Sequence, residues 1–340
     1  MIGAAEAKVV FISGVAGLLG SHLADVLLAQ GCRVVGCDDL SGGYEDNIPR
    51  GVEFHRYNIN DFSRNLELLK DVDVVYHTAA FAYDGLSFFC PYEVSQNTYS
   101  YTLSLLSAAV EQGVKRFVFC SSMARYGRLQ PPFYELQTPK PVTPYGVAKY
   151  AAEMAIQSLS EVHGIEYVIC VPHNVIGPRQ RYDDPYRNVA AIMMNRMLLG
   201  QQPVIYGDGR QSRCFSFVQD CVRLMAQMGF DERAKNEIFN IGPDEEETSI
   251  LHLAETIADI LNFPLEPIYM PGRPAEVRLA TCSSDKIRKV FAYETQYTLR
   301  SGLEEMAQWI RRRGPRPFQY DRQIEIKNQN LPKTWREAIL

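Results

Sequence analysis

Short apolar runs alternate with helically spaced apolar positions through the first half of the chain. The runs that have the length and composition of buried strands are residues 8–13, 33–37, 74–80 and 116–120. Residues 21–30 carry apolar side chains at helical spacing, and Gly31 ends that pattern. The alternation predicts an α/β fold, a Rossmann-like doubly wound parallel sheet over residues 1–174 with returns near residues 212–245.

The pattern changes after residue 174. Residues 177–185 are rich in Pro, Arg and Asp and are typical of a loop. Beyond them we predict helices at residues 188–199, 248–261 and 301–312, and strands at residues 203–206, 214–218 and 238–241. These elements indicate a smaller mixed α/β domain over residues 175–313. Residues 314–340 form a tail whose strand-like stretch, 323–326, is either an edge strand or a subunit contact.

A glycine turn joins the first strand to the first helix. Gly14, Gly17 and Gly20 let the backbone approach a pyrophosphate, and the helix N-terminus supplies free N–H groups. The second strand ends in Asp38 and Asp39, where an acidic residue binds the ribose hydroxyl of NAD. Because two carboxylates would repel a 2′-phosphate, we expect NAD rather than NADP.

Composition narrows the class of protein. The formal net charge is −5 and long basic runs are lacking, which argues against nucleic acid as a partner. The sequence has no apolar stretch long enough to span a bilayer. Its eight cysteines are scattered without the paired spacing of a metal site, so we expect reduced thiols, no metal and a cytoplasmic location.

Tyr145 stands four residues before Lys149, so both side chains lie on one face of a helix. A fixed positive charge near a phenol lowers its pKa, and we therefore expect Tyr145 to accept a proton from a sugar or alcohol hydroxyl. Ser122 follows the strand at residues 116–120 and supplies a hydroxyl to the same site.

The spacing GxxGxxG followed by Ser, Tyr and Lys resembles the extended short-chain dehydrogenase/reductase family. Over residues 8–312 the chain is most similar to nucleotide-sugar epimerases of the UDP-glucose 4-epimerase type. The resemblance implies bound NAD, a nucleotide-diphosphate sugar substrate such as a UDP-sugar, and a homodimer. The dimer would form through helices at residues 98–112 and 146–162, although core packing explains their apolar faces equally well.

The resemblance also assigns contacts residue by residue. The implied cofactor positions are Gly14, Gly17, Leu18, Leu19, Gly20, Asp38, Asp39, Asn58, Ile59, Thr78, Ala79, Ala80, Asn97, Ser121, Tyr145, Lys149 and Pro172. The implied substrate positions are Ser122, Asn174, Asn188, Val189, Arg213, Arg273 and Glu276. Arg213 and Arg273 follow Gly- or Pro-rich turns and suit a diphosphate, because guanidinium binds phosphate oxygens in a fork.

The implied reaction is epimerisation at sugar C4 through a transient 4-keto sugar, with Tyr145, Lys149 and Ser122 as catalytic residues. Related dehydratases and uronate decarboxylases carry an acidic residue just after the active-site hydroxyl, where this chain has Met123 and Ala124. Both activities are therefore disfavoured. The alternatives are a 4-keto reductase, a uronate 4-epimerase and a non-catalytic NAD-binding protein.

Two further features bear on the substrate. Tyr83 and Asp84, in the insertion at residues 81–86, either contact substrate hydroxyls or form a solvated turn. Ala280 aligns with a position whose small side chain admits a 2-acetamido group, so we expect N-acetyl sugars to fit.

Overall fold

A computed structural model describes residues 7–273 and 277–340. Its centre is a seven-stranded sheet, and the paired strands run parallel throughout. The strands of this sheet are β1 (Val9–Ser13), β2 (Arg33–Asp38), β3 (Glu53–Arg56), β4 (Val74–His77), β5 (Arg116–Cys120), β6 (Glu166–Pro172) and β11 (Glu237–Ile241). Their order across the sheet is β11-β6-β5-β4-β1-β2-β3. The strand order therefore changes direction between β1 and β4, which is the topological switch point of a doubly wound sheet.

Helices cover both faces of this sheet. The helices of the chain are α1 (Leu18–Ala29), α2 (Phe62–Leu68), α3 (Pro91–Ser95), α4 (Tyr101–Glu111), α5 (Pro144–His163), α6 (Val189–Leu198), α7 (Val218–Met228), α8 (Ile250–Leu261), α9 (Asp285–Phe291), α10 (Leu299–Arg313) and α11 (Lys333–Arg336). One apolar core lies between the sheet and α1, α7 and α9, and a second lies between the sheet and α2, α4 and α5. The predicted Rossmann-like doubly wound sheet is confirmed.

The second half of the chain adds a separate core and three small sheets. The remaining strands are β7 (Val175–Ile176), β8 (Val204–Tyr206), β9 (Ser212–Cys214), β10 (Ser216–Phe217), β12 (Glu247–Ser249), β13 (Ile268–Met270) and β14 (Leu279–Ala280). They pair as β10-β7, β12-β9-β14 and β13-β8. Helices α6, α8 and α10 enclose the apolar core beside them, which gives the mixed α/β region expected from the sequence.

Several elements were missed or placed differently by the prediction. The edge strand β3 was missed because its four residues, Glu53–Arg56, include three polar side chains. Helix α1 begins at Leu18, three residues early, because the glycine turn leads straight into it. The strand predicted at residues 214–218 is two short strands, β9 and β10. Residues 323–326 are not a strand, although the N–H groups of Glu325 and Ile326 donate to the carbonyl of Phe89.

All eight cysteines are unpaired thiols, and seven of them are buried. Along the described ranges, no helix is both long and apolar enough to cross a membrane. Within the same ranges, no group of three or more His, Cys, Asp or Glu side chains is placed to hold a metal ion.

Candidate active site

A cavity of about 580 Å³ opens at the carboxyl ends of the central strands. Every cofactor and substrate position assigned from the sequence lines it, with the exception of Glu276, which lies outside the described residues. The structure therefore brings the glycine turn, the Ser–Tyr–Lys group and the two predicted diphosphate arginines to one continuous space. Such a crevice beyond the carboxyl ends of parallel strands is where open α/β sheets bind ligands.

The glycine turn is shaped by close backbone approach. Gly14 has φ +77°, and a Cβ there would lie 2.8 Å from the Cα of Ala79 at the end of β4. A Cβ on Gly20 would lie 2.1 Å from the carbonyl oxygen of Gly14. Larger residues at either position would push the turn away from the strands. The turn therefore presents backbone, rather than side chain, to the cavity.

Asp38 sits beneath this turn and is held by backbone donors. Its Oδ2 accepts from the N–H of Ala16 at 3.0 Å, and its Oδ1 accepts from the N–H of Leu40 at 2.8 Å. Burial raises the pKa of Asp38, while these two hydrogen bonds and the positive charge of Arg187 oppose the rise. The carboxylate is thus fixed in the cavity wall beside the glycine turn.

Asp39 and Asn58 form a second polar pair beside Asp38. The side-chain amide of Asn58 donates to Oδ2 of Asp39 at 2.9 Å, and the N–H of Ser41 donates to its Oδ1 at 2.9 Å. Asn58 therefore positions a carboxylate in addition to lining the cavity. Asn97 acts similarly on the next loop, because its Oδ1 accepts from the N–H of Phe81 at 2.8 Å.

Tyr145 and Lys149 lie on the buried face of α5, as their spacing predicted. Tyr145 and Ser122 both line the cavity. The ammonium of Lys149 donates to the carbonyl oxygen of Cys120 at 2.7 Å and lies 5.9 Å from the centre of the Tyr145 ring. Ser122, in the turn after β5, thus meets Tyr145 and Lys149 of α5 at the cavity wall.

The expected lowering of the Tyr145 pKa is wrong for this structure. Burial raises the pKa of Tyr145 well above its ordinary value, and the nearby Ser122 side chain and the charge of Arg187 only oppose that rise. Burial also lowers the pKa of Lys149. The spacing along the helix indicates that a lysine charge is near Tyr145. It does not indicate that both groups lose solvation when they are buried.

A buried carboxylate one turn beyond Lys149 was missed by sequence reasoning. Glu153 is fully buried, accepts a short hydrogen bond from Ser121 and pairs with Arg125 at 2.9 Å between Nη2 and Oε2. Burial raises the pKa of Glu153 to about 7. The four-residue spacing of Tyr145, Lys149 and Glu153 could have indicated this residue from the sequence. Ser121 lines the cavity, and its hydroxyl donates to Glu153.

The opposite wall of the cavity carries the predicted diphosphate arginines. Nη1 of Arg213 donates to the carbonyl oxygen of Ser212 at 2.7 Å, and the guanidinium of Arg273 lies 4.8 Å from the centre of the Tyr206 ring. Their positive charges both reach Asp84, whose Oδ1 accepts from the hydroxyl of Thr143 at 2.6 Å. Loss of solvation raises the pKa of Asp84, and the hydrogen bond and both arginines oppose the rise.

The side-chain amides of the two predicted substrate asparagines, Asn174 and Asn188, form hydrogen bonds with the backbone. Nδ2 of Asn174 donates to the carbonyl oxygen of Cys214 at 2.9 Å. Oδ1 of Asn188 accepts from the N–H of Ala190 at 2.9 Å and so caps α6. Both residues line the cavity beside Val189, with these amide groups held by the backbone.

The insertion at residues 81–86 lines the cavity and contains a turn at Asp84 and Gly85. The hydroxyl of Tyr83 is buried and donates to Oδ2 of Asp184 at 2.6 Å. Asp184 also accepts from Nε of Arg187 at 3.1 Å, and that guanidinium lies 5.1 Å from the centre of the Tyr83 ring. Asp84, in contrast, is exposed to the cavity. Arg187 also lines the cavity.

Comparison with known proteins places this geometry in a family. The model of the NAD dependent epimerase/dehydratase family matches residues 10–242. The chain belongs to this family. It is 33% identical over 310 residues to a putative UDP-glucose 4-epimerase of Methanocaldococcus jannaschii, which covers 89% of this chain and 98% of that protein. It is 30% identical over 322 residues to a UDP-N-acetyl-alpha-D-glucosaminuronate decarboxylase of Bacillus cytotoxicus, covering 88% of this chain and 97% of that one.

A solved relative has the same fold. The UDP-glucose 4-epimerase of Thermotoga maritima, solved with UDP-glucose, superposes with a TM-score of 0.84 at 32% identity, over 90% of this chain and 99% of that chain. As a member of this family the chain uses NAD. The residues present fit that cofactor, because the Gly14 turn leaves no room for side chains and Asp38 offers a fixed carboxylate below it.

Proposed function

We propose that this epimerase-family chain interconverts the 4-epimers of a UDP-sugar through a transient 4-keto sugar. The observation that carries the proposal is that Ser122, Tyr145 and Lys149 line the same cavity as the glycine turn and the two arginines, Arg213 and Arg273. One end of the cavity suits a dinucleotide, the other suits a diphosphate, and the proton-transfer group lies in the cavity wall they share.

Each residue has a role that follows from its contacts. Ser122 holds the sugar 4-hydroxyl next to Tyr145, which takes its proton and later returns one. Lys149, anchored on Cys120, keeps a positive charge within reach of that proton transfer. When bound, NAD supplies the carbon that accepts a hydride and a positively charged ring. Because burial opposes the phenolate of Tyr145, the positive charges around the site are needed for its proton transfer.

Arg213 and Arg273 would bind the diphosphate of the substrate, and Asp84 would orient them. A diphosphate with two negative charges suits two guanidinium groups. Asn174, Asn188 and Val189 would border the nucleotide. While the diphosphate stays fixed, the 4-keto sugar could rotate about it. The sugar would then present its other face to the cofactor for return of the hydride.

Dehydration and decarboxylation fit the cavity less well. They need an additional acid or base close to the hydroxyl of Ser122, and the next two residues, Met123 and Ala124, carry none. Ala280 lines the cavity with a small side chain, which supports acceptance of a 2-acetamido sugar. Absence of turnover with UDP-GlcNAc, alongside turnover of UDP-glucose, would contradict that acceptance.

We also propose that the chain forms a homodimer through α5. Val147 and Met154, seven residues apart on this helix, are 51% and 55% exposed. Large apolar side chains so exposed on one face suit a subunit interface. Light scattering of the purified protein should give twice the chain mass, and Met154→Glu should give the monomer.

The test of the proposed reaction is incubation without added cofactor. UDP-glucose, UDP-galactose, UDP-GlcNAc and UDP-glucuronate are each supplied, and the products are identified by NMR. The proposal predicts the 4-epimer of at least one of them at an equilibrium ratio. Release of CO₂, a 4-keto-6-deoxy sugar or a stoichiometric need for reduced cofactor would each assign a different activity.

A further inference from the structure

The C-terminal segment, residues 314–340, contributes side chains to the cavity. Pro332, Trp335 and Leu340 line it together with the predicted site residues. Trp335 is 94% buried, since only 6% of it is exposed. Its ring packs edge-on against Tyr186 at 5.5 Å, and its Nε1 donates to the carbonyl oxygen of Pro185 at 3.3 Å. The indole therefore has one defined orientation in the cavity wall.

Polar contacts tie this segment to both halves of the molecule. Nη2 of Arg322 donates to the carbonyl oxygen of Ser41 at 2.7 Å, and its Nε donates to the hydroxyl of Tyr83 at 3.2 Å. The hydroxyl of Thr334 makes a short hydrogen bond with that of Tyr206. A segment fixed at several points can serve as a wall with a specific shape, because its side chains do not have to be ordered when a ligand binds.

Trp335 lies next to Gly85 and Arg273 in the cavity wall. Its Cη2 lies 3.6 Å from the point that a Cβ on Gly85 would occupy, and Nη1 of Arg273 lies 3.7 Å from the same point. Gly85 follows Asp84, which accepts from Thr143, the N-cap of the helix that carries Tyr145. Trp335 and Tyr145 also belong to one apolar cluster. The indole thus borders the space between a predicted diphosphate ligand and the proton-transfer group.

We propose that Trp335 packs against the sugar of the bound nucleotide sugar and is a specificity-determining residue. A pyranose presents C–H groups that an aromatic ring can bury, and aromatic walls with a few polar groups are typical of small-ligand sites. The proposal rests on the proposed function, because it takes the ligand to be a nucleotide sugar. It concerns a residue outside residues 8–312, the range over which the sequence resembles the family.

Tryptophan fluorescence gives a readout that does not require turnover. The chain has two tryptophans, and Trp309 packs between Tyr44 and Tyr182 outside the cavity lining. In Trp309→Phe the emission therefore reports Trp335. Titration with UDP-glucose or UDP-GlcNAc should change the emission, and UDP alone should change it much less. An equal response to UDP would place Trp335 on the nucleotide, and no response to any of them would also overturn the proposal.

Substitution of Trp335 tests the same contact through affinity. Trp335→Ala removes one ordered wall of the cavity and should weaken binding of the UDP-sugar several-fold, and change the affinity for UDP by less than about two-fold. Trp335→Phe should recover part of the loss, and Arg336→Ala, at an exposed neighbour, should have no effect. NAD content should stay unchanged in all three. Equal weakening of UDP and UDP-sugar would overturn the proposal, whereas failure of the proposed reaction would appear as tight binding without a 4-epimer.

Discussion

The two ends of the cavity hold their carboxylates in different ways. At the cofactor end, Asp38 accepts from the backbone N–H groups of Ala16 and Leu40, which are close to it in sequence. At the substrate end, Asp84 faces the side chains of Arg213 and Arg273, which come from much later in the chain. A site made from local backbone can be predicted from a motif. A site made from distant side chains is revealed only by the fold.

The largest effect should come from the group between the two ends. Tyr145→Phe removes the hydroxyl that transfers the proton and should lower kcat by about 10²- to 10⁴-fold, the usual contribution of such a group. Bound NAD should be retained, because the ring remains in place. Tyr150→Phe, on the same helix, is the matched control and should keep activity. Near-normal turnover in Tyr145→Phe would exclude the proposed chemistry.

At the cofactor end, Asp38→Asn should lower the amount of NAD that stays bound to the purified protein. The amide keeps the shape but loses charge and places a donor near one of the two backbone N–H groups. Hydrogen bonds to charged groups are worth about 1.5–3 kcal/mol, so cofactor affinity should fall by about ten-fold to a hundred-fold. NAD released by acid from the purified protein measures this. Asp61→Asn, which keeps the N-cap of α2, is the control; equal NAD content in both variants would refute the assignment of Asp38.

At the substrate end, Arg213→Ala and Arg273→Ala should each raise the KM for the UDP-sugar. Loss of one charge-assisted hydrogen bond to the diphosphate predicts about a ten-fold to hundred-fold increase, with a smaller change in kcat. Arg278→Ala is a suitable control, because that side chain is 82% exposed. If NAD retention fell while KM stayed the same, the two arginines would belong to the other end of the cavity.

The smallest effect concerns the buried carboxylate behind the cofactor wall. The pKa of Glu153 is raised by burial from its ordinary 4.5 to about 7, so the folded chain binds more protons than the unfolded chain between those pH values. The free energy of unfolding should therefore fall as the pH rises through this window. Glu153→Gln removes that titration and should flatten the slope of Tm against pH. The exposed Glu161→Gln should leave it unchanged, and parallel curves for Glu153→Gln and the parent would contradict the assignment.

Local patterns predicted most of the sheet and the cofactor end. The strands β1, β2, β4 and β5 were found because each is a short apolar run, and Gly14 and Asp38 because a fixed spacing marks them. The polar edge strand β3 lacked that apolar signal. Trp335 could not be found, because the C-terminal tail meets the cavity only through long-range packing. The roles assigned to the individual site residues stay predictions.

The chemistry of Tyr145 shows the limit of local reasoning in another way. Its spacing from Lys149 correctly placed both side chains at the cavity, but the direction of its pKa shift was wrong. Spacing along a helix tells which charges are near, and only the folded environment tells how much solvation each group has lost. The positive charge of Arg187, which lies in the loop after β7, lowers the pKa of Tyr145 and so opposes the effect of burial.

The most direct measurement of the central claim follows the hydrogen at sugar C4. A UDP-sugar that the protein turns over is prepared with deuterium at C4 and incubated in ordinary water without added cofactor. If the same hydrogen leaves C4 and returns to its other face, NMR and mass spectrometry will show the 4-epimer with the deuterium retained at C4. Loss of deuterium to the solvent, or a product that is not the 4-epimer, would contradict reversible oxidation at C4 in this cavity.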